Sequence, residues 1–187
     1  MFHYRGCWGS EGPYDLRTIP GDVTAAVDHL QSGEYPTVDP GRLAVVGHSL
    51  GGWAAIVTAA TEPRLHAVAV YGAAARLGAG LLLGPEFVEA EFTRFLAATP
   101  EEFTFQWAVV AERMDALAAV GAIGPRPLLV VHGTADRWVP VVQARELRER
   151  AGASCRYVEV EGADHAFSWH RAELADLVVG WLRRPAG

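Results

Sequence analysis

The chain has no lysine: its sixteen basic residues are all arginine, outnumbered by twenty-two acidic ones. The formal net charge of −6 argues against a nucleic-acid binder, which normally shows a basic face, so no nucleic-acid partner is expected. Cysteine is scarce. Cys7 and Cys155 are too few for a disulfide framework and have no metal-ligand spacing; both are expected as free thiols of a cytoplasmic protein. No apolar run reaches the roughly 18 residues of a membrane span. The most apolar region, Leu65 to Gly84, is broken by His66, Arg76 and several glycines, and no membrane partner is expected. The opening "MFHYRGCWGSEG" lacks the basic-then-apolar build of a signal sequence. None of the seven histidines pairs with another at the i, i+4 spacing of a zinc helix, and no glycine-rich phosphate loop occurs, so neither metal nor cofactor is expected.

What is present suits a folded domain. Half of the 187 residues are hydrophobic, which supports one domain, 1–187, with a substantial core. Short apolar runs predict strands at Phe2–Tyr4, Leu43–Val46, Ala67–Tyr71, Leu128–His132 and Arg156–Val160. Helical patterns alternate with them at Gly21–Gln31, Leu50–Thr61, Val141–Ala151 and Ser168–Arg183. Strands apolar on both faces and separated by helices indicate a mainly parallel sheet covered on both sides, a three-layer α/β/α sandwich.

One segment breaks this alternation. Residues 76–125 hold two extra helical patterns, "PEFVEAEFTRFLAAT" and "PEEFTFQWAVVAERMDALAAV", with Pro85 and Pro100 at their starts, where proline is tolerated. An insertion of this size is expected to form a helical cap. Its stripe of Phe87, Phe92, Phe95, Phe103, Phe105 and Trp107 either lines an acyl pocket or glues the cap to the body.

The chemistry gathers around "RLAVVGHSLGGWAAIVTAA". Glycine is common enough here, at 20 residues, that Gly47-His48-Ser49-Leu50-Gly51 is only suggestive alone. Its context, a strand before and a helix after, is the setting in which a serine sits on a sharp elbow with its hydroxyl exposed. A serine hydroxyl needs a base to take its proton and an acid to orient that base. His165 follows the last expected strand in "YVEVEGADHAF", and Asp136 follows the preceding one in "LLVVHGTADRWVP"; functional groups collect at such strand ends. The order Ser49, Asp136, His165 is that of the nucleophile-elbow hydrolases. Asp164 adjoins His165 and reads as a turn residue. His170 falls inside the final helical pattern, His48 and His132 flank the site, and His3, His29 and His66 read as structural.

The stretches "FHYRGCWGSEGPY", "VDPGRLAVVGHSLGGWAA", "PLLVVHGTADRWVP" and "GADHAF" resemble the α/β-hydrolases. The nearest likeness is to the prolyl-oligopeptidase and dienelactone-hydrolase-like branch, although dienelactone hydrolases use a cysteine where this chain has Ser49. The resemblance implies Ser49 as nucleophile, His165 as general base and then acid, Asp136 as its orienting group and the Leu50 backbone N–H as an oxyanion donor. It also equates "FHYRG" with the fourth strand of that fold, so the first three strands, and the loop that gives a second oxyanion donor, have no counterpart here. Met1 is accordingly expected to be internal to a longer reading frame, and the open sheet edge leaves a homo-oligomer among the expected partners.

The expected activity is a serine hydrolase that cleaves carboxylic esters through an acyl-enzyme, acting on a small-molecule ester. A peptidase of the prolyl-oligopeptidase kind, acting on a short peptide, is the alternative. An inactive or weakly active hydrolase scaffold is the reading from another class.

Overall fold

A computed structural model describes residues 1–78 and 89–183, the side chain of residue 93 apart. Four strands form one parallel sheet in the order β1 (Leu43–His48), β2 (Leu65–Tyr71), β3 (Leu128–Gly133) and β4 (Cys155–Val160). Their registers, such as Val45 with Val68 and Val131 with Val158, leave no bulge except at Leu43/Ala44. Every residue of β3 is buried, as a strand inside a parallel sheet covered on both faces must be.

Alternation along the strands sorts the core into two layers. Val68, Val70, Leu128 and Val130 face one side, where they meet α1 (Ile19–Leu30), α2 (Leu50–Thr61) and α5 (Val141–Ala151). Ala69, Leu129, Val131 and Val160 face the other, against Val178 and the flanking apolar residues of α6 (Arg171–Leu182). The three-layer α/β/α sandwich is thus present, with one helix on the thinner side among the described residues.

Most elements fall where hydrophobic spacing put them, and their ends have local causes. Pro20 sits in the first turn of α1, pre-set for helix. The final helix starts at Arg171 instead of Ser168, because Asp164 accepts the Ser168 amide (2.8 Å) and holds that stretch in a turn. His170 therefore stands just before the helix.

Phe2–Tyr4 is not a strand. A strand needs a ladder partner for its N–H and C=O groups, and among the described residues β1 is a sheet edge with none on its outer side. Tyr4 instead packs against the core, and Phe2 meets its ring edge-on (5.5 Å, 86°).

Of the extra segment, 79–88, including Pro85 and Phe87, lie outside the described residues. The second helical pattern divides into α3 (Pro100–Arg113) and α4 (Ala116–Ala119). Thr99 and Glu102 cap α3 reciprocally, while Asp115 breaks the run by accepting the Leu117 amide (2.8 Å). The described aromatics face the body or solvent. Phe103 is fully buried against Phe92, Trp107 and Tyr14, Phe95 stacks on Trp8 (3.9 Å), and Phe105 is exposed. A buried amide, Gln106, joins α3 to the N-terminal segment by accepting from the Leu16 N–H (2.9 Å) and donating to the Tyr14 carbonyl (3.2 Å). Among the described residues no helix is long and apolar enough to cross a membrane.

Candidate active site

The site lies where β1, β3 and β4 end. Ser49 follows β1 directly and has φ +54°, ψ −120°, a conformation that costs a non-glycine residue of order 1–3 kcal/mol and persists only where neighbours enforce it. Here they do. The Ser49 N–H donates to the Tyr71 carbonyl (3.1 Å), and the Ser49 carbonyl accepts from Gly52, Trp53 and Ala74 (3.0, 3.1 and 3.3 Å). The tightness of the bend dictates its glycines: a Cβ on Gly47 would collide with the Gly51 carbonyl, and one on Gly52 would stand 2.6 Å from Ala73 Cβ. Leu50 opens α2, so its N–H has no helical partner and carries the positive end of the helix dipole.

The three side chains that the sequence points to meet at this site. His165 Nε2 lies 2.9 Å from Ser49 Oγ, and His165 Nδ1 lies 2.7 Å from Asp136 Oδ2. The Asp136 side chain is fully buried. Burial pushes its carboxyl up, but hydrogen bonds from His132, His165 and the Val139 amide outweigh that and hold it well below the usual carboxylate range. The carboxylate therefore fixes the imidazole with its proton on Nδ1, leaving the bare Nε2 facing the serine hydroxyl. In that state Nε2 can accept the serine proton.

Residues 1–177 match the Alpha/beta hydrolase family. The chain belongs to that family. It is 26% identical over 186 residues to the uncharacterized protein YfhR of Salmonella typhi, covering 98% of this chain and 61% of that one. The chain thus spans about three fifths of the length of the curated relatives it matches. Among solved structures it resembles a Mycobacterium tuberculosis puromycin-hydrolyzing peptidase (TM-score 0.65, 24% identity, 96% of this chain, 27% of that one). It also resembles the esterase domain of a Rhodothermus marinus protein (TM-score 0.66, 26% identity, 94% and 71%).

Around this α/β-hydrolase site stand groups that the sequence only partly disclosed. His132, expected to flank it, is fully buried: its Nε2 donates to the Val139 carbonyl (2.9 Å) and lies 3.4 Å from Asp136 Oδ2. Among the described residues its Nδ1 has no hydrogen-bond partner. His48 packs on His165 (4.7 Å between ring centres). Trp138 was missed. Its ring stacks on that of His165 at 5.4 Å and 12°, and nothing in the spacing of "DRWVP" signals such a contact. An open groove of about 510 Å³ runs beside it, lined by Ala135, Arg137, Trp138, Asp164, His165 and Ala166. Cys7 and Cys155 are both free, and burial pushes the Cys155 thiol up to about 11, which makes it a poor nucleophile at neutral pH.

Proposed function

We propose that this chain carries a serine hydrolase site that cleaves carboxylic esters through an acyl-enzyme. The observation that carries the reading is one continuous line of hydrogen bonds, Ser49 Oγ to His165 Nε2 at 2.9 Å and His165 Nδ1 to Asp136 Oδ2 at 2.7 Å, on a serine held at φ +54°.

In the first step Ser49 Oγ attacks the ester carbonyl while His165 Nε2 takes the hydroxyl proton, and Asp136 stabilises the imidazolium without itself being protonated. The negative charge that develops on the carbonyl oxygen is met by the Leu50 N–H at the head of α2. The imidazolium then returns its proton to the departing alkoxide, which leaves as the alcohol with Ser49 acylated. Water, deprotonated by the same Nε2, attacks the acyl-enzyme, and the carboxylic acid leaves as Ser49 regains its proton. The groove beside Trp138 borders the ring that hands over the leaving-group proton, so it suits the alcohol portion of the substrate. These steps need no metal or cofactor.

Removing one of two oxyanion donors typically lowers kcat about 10²–10³-fold, which sets the scale of the contribution expected of the Leu50 N–H. Likeness to a puromycin-hydrolyzing peptidase supports an amide substrate as the second reading.

Two measurements test the proposal. A fluorophosphonate probe is expected to label the wild type on Ser49 and to leave Ser49→Ala unlabelled; a folded wild type that stays unlabelled sinks the enzyme reading and favours the inert scaffold. Parallel assays with nitrophenyl esters and aminoacyl anilides decide the leaving group, and faster anilide turnover would replace the esterase by the peptidase.

A further inference from the structure

We propose that His48 is a positioning residue for the reaction, fixing His165 against Ser49 by holding the backbone of the histidine loop. This rests on the assignment of Ser49 and His165 given above.

His48 is the last residue of β1 and the immediate neighbour of Ser49, so its ring moves with the elbow. Its Nε2 lies 2.8 Å from the His165 carbonyl oxygen. A carbonyl only accepts, so Nε2 carries the proton and the imidazole is committed to one tautomer. Burial lowers the His48 pKa, against the raising effect of the hydrogen bond to the His165 carbonyl, so the neutral ring is favoured, with its one proton on Nε2.

The ring itself is clamped. It lies flat on Tyr71 (4.7 Å, 15°), and Tyr71 meets Phe167 edge-on (5.9 Å, 82°). Phe167 is fully buried and belongs to the same loop as His165. Gly72, at φ +54°, passes beneath both imidazoles; a Cβ there would stand 3.4 Å from His48 Nε2 and from His165 Nδ1.

The pattern of fastening shows why such a contact matters. The histidine loop is tied to the acid loop several times over: Ala135 N–H to the Ala163 carbonyl (3.0 Å), Gly162 N–H to Thr134 Oγ1 (2.8 Å) and His165 to Asp136. Towards the elbow, the described residues make two hydrogen bonds, His165 to Ser49 Oγ and His48 to the His165 carbonyl. The first is lost whenever Ser49 Oγ is acylated. The second involves no reacting atom and persists through the cycle, so it keeps Nε2 in register with the reacting carbon when water must be activated.

Two substitutions separate this role from mere packing. His48→Phe keeps a ring on Tyr71 and removes the donor; His48→Gln loses the ring and keeps an N–H near the Nε2 position. With p-nitrophenyl acetate, His48→Phe is expected to lower kcat about tenfold with KM within twofold, the size of one lost hydrogen bond, and His48→Gln to recover most of it. His48→Leu, also without a donor, is expected to match Phe, and melting curves check that each variant is folded. A wild type that neither turns over this ester nor labels with fluorophosphonate overturns the triad reading and this proposal together. An active wild type with Phe and Leu equal to it, or with Gln as impaired as Phe, overturns the role of His48 alone.

Discussion

Asp136 holds more hydrogen bonds than the orientation of one imidazole requires. Its Oδ1 accepts the Trp138 and Val139 amides (2.9 Å each), and its Oδ2 faces both His165 and His132. The carboxylate thus organises its own loop as well as its partner, which is why Trp138 arrives over the His165 ring. Asp136→Asn tests the division of labour. Oδ1 still accepts the two amides, so the loop and the far-UV circular dichroism are expected to be unchanged. The new NH2 opposes His165 Nδ1–H and forces the proton onto Nε2, where it blocks attack; kcat is expected to fall roughly 10⁴-fold. A fall under tenfold would contradict the assigned role. At this scale the sequence discloses Ser49, Asp136 and His165 because Ser49 directly follows β1 and the other two stand in the loops that follow β3 and β4. His132 on Asp136 and Trp138 on His165 are not legible, since both contacts arise from the loop folding back after Asp136.

Among the elements, β1 to β4 and α1, α2, α5 and α6 follow from hydrophobic spacing alone, with ends shifted by caps. Failures occur where a segment's partner, not its own composition, decides its state. Phe2–Tyr4 has the side chains of a strand but, among the described residues, pairs with none. The pattern over 100–120 is helical in period, yet Asp115 stops it with a side-chain cap. Gln106 shows the same rule from the other side, as a polar residue in the core that looks misplaced until its two backbone partners are known. Gln106→Leu removes an acceptor from the Leu16 N–H and a donor from the Tyr14 carbonyl, leaving both buried groups unsatisfied. The expected loss of unfolding free energy is about 2–3 kcal/mol by urea titration; a loss below about 0.5 kcal/mol would mean that water replaces the amide at no cost.

For the molecule as a whole, absence of lysine places every side-chain ion pair on arginine or histidine, and these pairs set its response to acid. Hydrogen bonds from Arg145 and Tyr157 bring Glu159 down to about 2, Arg64 lowers Glu62, and Arg17 lowers Asp15, in each case against the cost of burial. Together with Asp136, these carboxyls are more acidic folded than unfolded. Their stabilisation is therefore complete above the ordinary carboxylate range, about 4, and is lost as pH falls through the lower folded values. Calorimetry is expected to give a clearly lower Tm at pH 3 than at pH 6, and equal values would contradict the pairing. The site also depends on the whole sheet, because its parts arrive on three strand ends, with Ser49 and His165 separated by 116 positions. On the proposed mechanism, a cut anywhere between them leaves the serine on one piece and its base on the other. Ester turnover by such a pair of fragments would then count reassembled sheets, one alcohol at a time.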